Sequence, residues 1–308
     1  MNVLRILESH GQAMSIGAFR QATGKARIEN LIKDHGLVRT GDTIHAPTLD
    51  PHILCAVQFR ATVTCVSALR LHGLRVDRRD LDITHLRVPK TRHCKRSKNM
   101  RLEKVHIHRR GAEVDRRVDT ALDALMVAIK CYLRQERWLD AVAICDAAIQ
   151  SGKVSYEELE ACVYQENERR VIKIFQLVNG KARSWLETKV RMDLLRAGFE
   201  PEVGVQIEGV GEVDLLIQPN IIIELDGREF HDTDDAFTKD RWRSREAFYR
   251  GFITLRFTFA DAQRPGPPWH PIESAHEQNS PQEDKWLPLI SVNFAHNALS
   301  PDACALKN

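Results

Sequence analysis

Three acids near the middle of the C-terminal half could do chemistry together. Asp214 lies in Val213-Asp214-Leu215, Glu224 in Ile221-Ile222-Ile223-Glu224-Leu225, and Asp226 follows two residues on. Gln218-Pro219-Asn220 between them reads as a turn centred on Pro219, with Asp214 five residues before that centre and Glu224 five after it. In a regular hairpin such positions face each other across the strands, with Cβ atoms about 5 Å apart. Asp226 shares a face with Glu224, because strand side chains alternate. Like charges this close repel unless a proton or a cation intervenes. Oxygen-rich carboxylate sites favour Mg²⁺ or Mn²⁺. The run 221–225 is almost wholly apolar, as in a strand buried on both faces, where an unpaired acid is costly. His231 follows closely enough to serve the same spot as a group titrating near neutrality.

The elements that must position these acids are legible around them. A helix from about Ala182 to Ala197 carries Trp185, Leu186, Val190, Leu194 and Leu195, has Glu187 near its start, and is ended by Gly198. Strand-like runs at 203–207, 211–217 and 221–225 follow, then a polar helix from about Asp234 to Arg250 and a strand at 252–258. The order is αβββαβ over residues 166–262.

This pattern resembles the PD-(D/E)XK nuclease superfamily, and more closely its very-short-patch-repair-like endonucleases. The matching residues are Glu187, Asp214, Ile223-Glu224-Leu225-Asp226-Gly227 with His231, Asp240-x-x-Arg243, and Gly251-Phe252-Ile253-Thr254-Leu255-Arg256. The resemblance implies Mg²⁺-dependent phosphodiester hydrolysis, with Asp214, Glu224 and the Leu225 carbonyl as metal ligands. Asp226 would bind a second metal or orient water, and His231 would act as general base or acid. Glu187 would bind metal through water or orient Arg243, which reads either as a nucleic-acid contact or as half of a structural ion pair. Asp226 replaces the lysine of the usual E-x-K, so the identity of the base stays open. The zinc-binding cysteines and histidines of the repair enzymes are not evident.

The N-terminal residues 1–47 read as three short helices and a hairpin turning at Thr40-Gly41-Asp42, the order of a winged helix. Its third helix would enter a major groove, presenting Lys25, Arg27 and Lys33, with Arg39 on the wing. Residues 48–165 form a second unit, with a helix expected from about Gln58 to His72, strands at 83–88 and 105–108, and helical periodicity from Asp119 to about Cys162. Between Arg87 and Arg110 stand ten Lys or Arg, including Lys95, Arg96 and Lys98, against one acid, Glu103. Such a run attracts phosphate. The winged-helix pattern and Ser67-Ala68-Leu69-x-Leu71-His72-Gly73-Leu74 together resemble the AbiEi-like antitoxin family of type IV toxin–antitoxin systems. That resemblance implies DNA binding, often at the protein's own promoter, in a toxin–antitoxin or phage-defence setting.

The whole is an α+β, partly α/β, multidomain chain of 308 residues, with a Pro-rich tail at 263–308. Hydrophobic residues make up 43% and charged residues 28%, which excludes collagen-like, disordered and integral membrane classes. The longest apolar runs fall far short of the roughly 20 residues a membrane span needs, and the first ten residues do not read as a signal peptide, so a cytoplasmic protein is expected. Seven cysteines, an odd count with no C-x₂-C, argue against a disulfide framework or a Cys-based zinc site. Expected partners are nucleic acid, DNA ahead of RNA, with a homodimer and a cognate toxin as further candidates. The competing class is a non-enzymatic winged-helix repressor or antitoxin whose nuclease-like domain no longer cuts.

Overall fold

The structure is a computed structural model, described for residues 3–24, 28–91, 104–109, 116–217, 219–226 and 234–263, with backbone alone for 234–239 and 263. It is a mixed α+β chain with three sheets among the described residues. Two compact units divide between Cys131 and Tyr132. None of the described helices is long and apolar enough to cross a membrane.

The first unit opens with α1 (Val3–Ser9), β1 (Ala13–Ser15), α2 (Ile16–Thr23), α3 (Ile28–Asp34), β2 (Val38–Thr40) and β3 (Thr43–His45). Ser15 Oγ accepts the Ala18 N–H at 3.2 Å and caps α2, as its position before an apolar run demands. The hairpin pairs Thr40 with Thr43 around Gly41-Asp42, where Gly41 takes the positive φ such a turn requires. β1 adds a third strand on the other side of β3, which the sequence pattern did not reveal. Val3, Leu7, Phe19, Ile28 and Ile44 bury a common core here.

Next come α4 (Pro51–Phe59), β4 (Thr62–Val63), α5 (Cys65–Leu71), β5 (Thr84–Val88), β6 (Val105–Arg109) and α6 (Ala121–Arg134). The single helix expected over 58–72 is instead two helices with a strand between them. Arg60 adopts a left-handed φ of 49° and closes α4, and the β-branched Thr62-Val63 then pair with Leu86 and Arg87. The sheet order is β4-β5-β6, with β5 and β6 parallel and His85 opposite His106.

The second unit holds α7 (Trp138–Gln150), α8 (Tyr156–Glu166), α9 (Arg169–Gln176), α10 (Trp185–Arg196), β7 (Pro201–Ile207), β8 (Gly211–Ile217), β9 (Ile221–Asp226), α11 (Asp234–Tyr249), β10 (Ile253–Thr258) and α12 (Phe259–Gln263). From α10 onward this begins with the αβββαβ order expected. The sheet runs β10-β9-β8-β7, with β10 parallel to β9 and the other pairs antiparallel. β9 is buried on both faces. Ile223 packs with Leu215 and with Leu186, Val190 and Leu194 of α10, while Ile222 packs with Leu216 and Ala247 of α11. The helix under the sheet is locked by Asp146 of α7. Its carboxylate accepts the N–H groups of Asn179 and Gly180 at 2.7 and 2.9 Å, the Thr188 hydroxyl at 2.8 Å and Arg191 Nη2 at 3.0 Å. A Cβ on Gly180 would meet Ile149 Cγ2 at 2.8 Å, so this turn takes glycine.

Candidate metal centre and nucleic-acid surface

The β8–β9 ladder pairs Ile217 with Ile221, Leu216 with Ile222 and Leu215 with Ile223. Asp214 and Glu224 are the next residues along the two strands, and each carboxyl acts on the titration of the other. Asp214 Oδ2 also accepts the Leu225 N–H at 2.7 Å, so Leu225 meets this acid through its amide. Arg243 of α11 spans the mouth of the pair. Its Nε donates to the Val210 carbonyl at 2.9 Å, and its Nη2 reaches the Glu212 carbonyl and, at 3.1 Å, Glu224 Oε1.

Glu187 sits in the first turn of α10 and is 8% exposed. Its own N–H is capped by Ser184 Oγ at 3.1 Å, and its carboxylate accepts the Arg183 N–H at 2.8 Å. Buried Glu187 and half-buried Asp214 and Glu224 share one electrostatic environment. Burial pushes the Glu224 carboxyl from 4.5 up to about 7; the charge on Asp214 adds to this, against Arg243 and Arg256. Asp214 is raised by burial, opposed by the Leu225 N–H and by Arg183 and Arg243. Glu187 is raised by burial, against the Arg183 N–H and Ser184, with the charge of Asp214 adding to the rise.

Asp226 closes β9, opposite Thr258 of β10, and its charge acts on Arg256. Arg256 is held by Asp240 through bonds of 2.5 and 2.6 Å, and by Ser244 Oγ at 3.0 Å. The structure thus brings Asp214 and Glu224 close together and sets Glu187 within their field. Asp226 lies towards Arg256. Among the described residues the acids do not gather as three ligand atoms within 4.8 Å. The cation that sequence reasoning overlooked is Arg183, which pairs with Glu212 and lowers the pKa of Asp214.

Of the nucleic-acid candidates, Lys33 lies in the last turn of α3 and Arg39 on β2, both exposed, with Arg39 Nε donating to the Gly41 carbonyl at 3.2 Å. Lys25, Arg27, Lys95, Arg96, Lys98 and His231 lie outside the described residues, as does the tail from residue 264.

A second group of side chains was not foreseen. Cys65, His85, His108 and Cys131 place their ligand atoms within 4.8 Å of one another, all buried. Spacing rules for C-x₂-C pairs do not detect it, because its members come from four separate elements. In sequence the cysteines argue against a Cys-based zinc site for want of a C-x₂-C pair, and His108 falls within the Arg87–Arg110 basic run.

No family model matches the chain, and no curated protein matches it significantly.

Proposed function

We propose that the second unit is a metal-dependent nuclease of the PD-(D/E)XK type, close to the very-short-patch-repair-like endonucleases, and that the first unit binds nucleic acid through a winged helix. The observation that carries the reading is the close approach of two half-buried carboxyls, Asp214 and Glu224, with Glu224 pushed up to about 7. Two ionised carboxylates this close require a proton or a cation between them. An all-oxygen pair of this kind fits Mg²⁺ or Mn²⁺. Asp214 and Glu224 would hold the ion, which supplies positive charge to a phosphodiester as negative charge builds on it.

The remaining groups orient and balance this pair. The Leu225 N–H fixes the rotamer of Asp214, and Arg243 fixes Glu224 while tying it to the carbonyls that open β8. Glu187 adds a third negative charge behind the pair. Asp226 and His231 are the candidates for orienting water and moving its proton. DNA is the favoured substrate over RNA, because the helix–hairpin order of the first unit is that of a duplex reader. The toxin–antitoxin or phage-defence setting rests on the resemblance of the first half to AbiEi-like antitoxins.

The alternative is a winged-helix repressor or antitoxin whose second unit does not cut. It is favoured by the Arg243–Glu224 ion pair, which already neutralises one acid, and by Asp226 in place of lysine. The decisive experiment incubates the full chain with plasmid duplex, single-stranded DNA and total RNA, each with Mg²⁺, Mn²⁺ or EDTA. Cleavage that needs metal and disappears in both Asp214→Asn and Glu224→Gln supports the nuclease. Duplex binding without metal-dependent cleavage of any substrate supports the repressor.

A further inference from the structure

We propose that Cys65, His85, His108 and Cys131 bind one zinc ion in a closed structural site within the first unit. The four ligand atoms lie within 4.8 Å of one another, and the residues are between 0% and 7% exposed. Nδ1 of His85 and Nε2 of His108 stand 3.0 Å apart. Zinc bonded tetrahedrally to imidazole nitrogens at about 2.0–2.1 Å holds two such atoms about 3.3 Å from each other, so only a small displacement is required. Two sulfurs and two nitrogens form a borderline-soft donor set that selects zinc over the hard cations suited to carboxylates. Four protein ligands buried together leave no open position for water, which marks a structural site and not a catalytic one.

The approach to this cluster is locally irregular. Cys131 lies close enough to the His85 ring for the two side chains to interact. Cys65, the first residue of α5, has a φ of 55°, and the Thr64 hydroxyl before it is buried without a partner. A non-glycine residue in the left-handed region is strained and persists only where its surroundings demand it. Here the strain presents the sulfur of Cys65 to the cluster from a helix start. That start is stapled to β5 by the Thr64 N–H on the His85 carbonyl at 3.0 Å and the His85 N–H on Ser67 Oγ at 3.0 Å.

The site also explains its own position in the chain. His85 and His108 each stand two residues before an end of the Arg87–Arg110 basic run, on adjacent parallel strands. One ion would fix both ends of that run to α5 and α6. A phosphate-binding segment would then be held at its base by metal bonds as well as by the short β5–β6 ladder.

The test uses the full chain without an affinity tag, purified without chelator. Elemental analysis should give one zinc per chain. Refolding with Co²⁺ should give the strong d–d bands of a tetrahedral ion and a thiolate charge-transfer band. His108→Asn and Cys65→Ser should lose both signals, whereas Cys162→Ser and the carboxylate variant Glu224→Gln should keep them. Should either cluster variant fail to fold, the wild-type zinc content and cobalt spectrum decide alone. Folded wild type carrying zinc far below stoichiometry, with no tetrahedral cobalt spectrum, overturns the proposal and leaves a thiol–imidazole hydrogen-bonded cluster or a Cys65–Cys131 disulfide. Because Glu224→Gln is a control, failure here is distinguishable from failure of the nuclease reading.

Discussion

Arg243 holds Glu224 with the same guanidinium that binds the strand opposite: Nη2 stands 3.1 Å from Glu224 Oε1, and Nε stands 2.9 Å from the Val210 carbonyl. One side chain from α11 therefore fixes a half-buried acid of β9 and the entry to β8. The partners are only partly exposed, at 26% and 19% of their side chains, so breaking the pair leaves an uncompensated acid and two carbonyls short of a donor. Arg243→Ala is expected to destabilise the second unit by about 2 kcal/mol. It should also raise the Glu224 pKa further, since Arg243 favours the charged carboxylate. Urea melts and carboxyl titration by NMR would check both, and an unchanged Glu224 titration would remove Arg243 from this role.

Glu224 sets a pH dependence whose direction is fixed. Its folded value, about 7, lies above its ordinary 4.5, so between these limits the folded state binds more protons than the unfolded one. Stability from this group falls as pH rises from 4.5 to 7 and is flat above 7. The gap corresponds to about 3 kcal/mol at most, at 1.36 kcal/mol for each tenfold change. Glu224→Gln should therefore be more stable than wild type at pH 8 by about 1–3 kcal/mol, and equal to it near pH 4.5. Asp214 and Glu187, raised in the same sense, keep a residual slope in the variant. Equal stability of the two proteins at pH 8 in metal-free buffer would show that Glu224 carries no such penalty.

Divalent cation should remove the same penalty by binding only the folded state. At a hundred times its dissociation constant the gain is about 2.7 kcal/mol. Thermal melts at pH 8 should rise with Mn²⁺ in wild type and fail to rise in Asp214→Asn and Glu224→Gln. A wild-type melt unmoved by millimolar Mn²⁺ would count against the carboxylate site.

Asp146 is expected to be the most sensitive polar position of the second unit. Four donors converge on its fully buried carboxylate, and Arg191 beside it is 5% exposed. Asp146→Ala leaves that guanidinium buried with its charge unpaired, at a cost of about 3–5 kcal/mol. A double variant Asp146→Ala, Arg191→Met should recover part of this loss. Equilibrium unfolding of the three proteins would measure the coupling.

The hairpin and the acids were legible in the sequence because they obey local rules. Period-two alternation and the centred Pro219 turn give the register that sets Asp214 beside Glu224, and the apolar run at 221–225 gives the burial that raises their pKa values. The break between α4 and α5 was not legible, because apolar residues on both sides continue the helical pattern through Arg60 and only tertiary pairing of Thr62-Val63 interrupts it. Arg243 could be named as a cation but not paired with Glu224, and Arg183 was not singled out at all, since long side chains choose among acids only once the sheet is built. The Cys65–His85–His108–Cys131 group has no short-range signature, because its spacings of 20, 23 and 23 residues are set by the crossovers of the sheet.

The basic run supplies the last expectation. Lys95, Arg96 and Lys98 belong to a stretch with ten cations and one acid, in a chain whose net charge is only +3. If the run tracks phosphates, each contact releases condensed counterion, and the logarithm of affinity falls with the logarithm of salt by about 0.9 for each duplex phosphate neutralised. Replacing all three by Ala should flatten that slope by as much as about 2.7 and weaken binding to unrelated duplexes alike. Replacing Lys33 and Arg39, the exposed cations of α3 and β2, should instead lower affinity for a preferred duplex more than for a random one. Fluorescence anisotropy over a salt series, with two duplexes of unrelated sequence, separates the two effects. A triple variant with the wild-type slope would make the run a solvated loop and leave the helix–hairpin unit as the whole of the nucleic-acid contact.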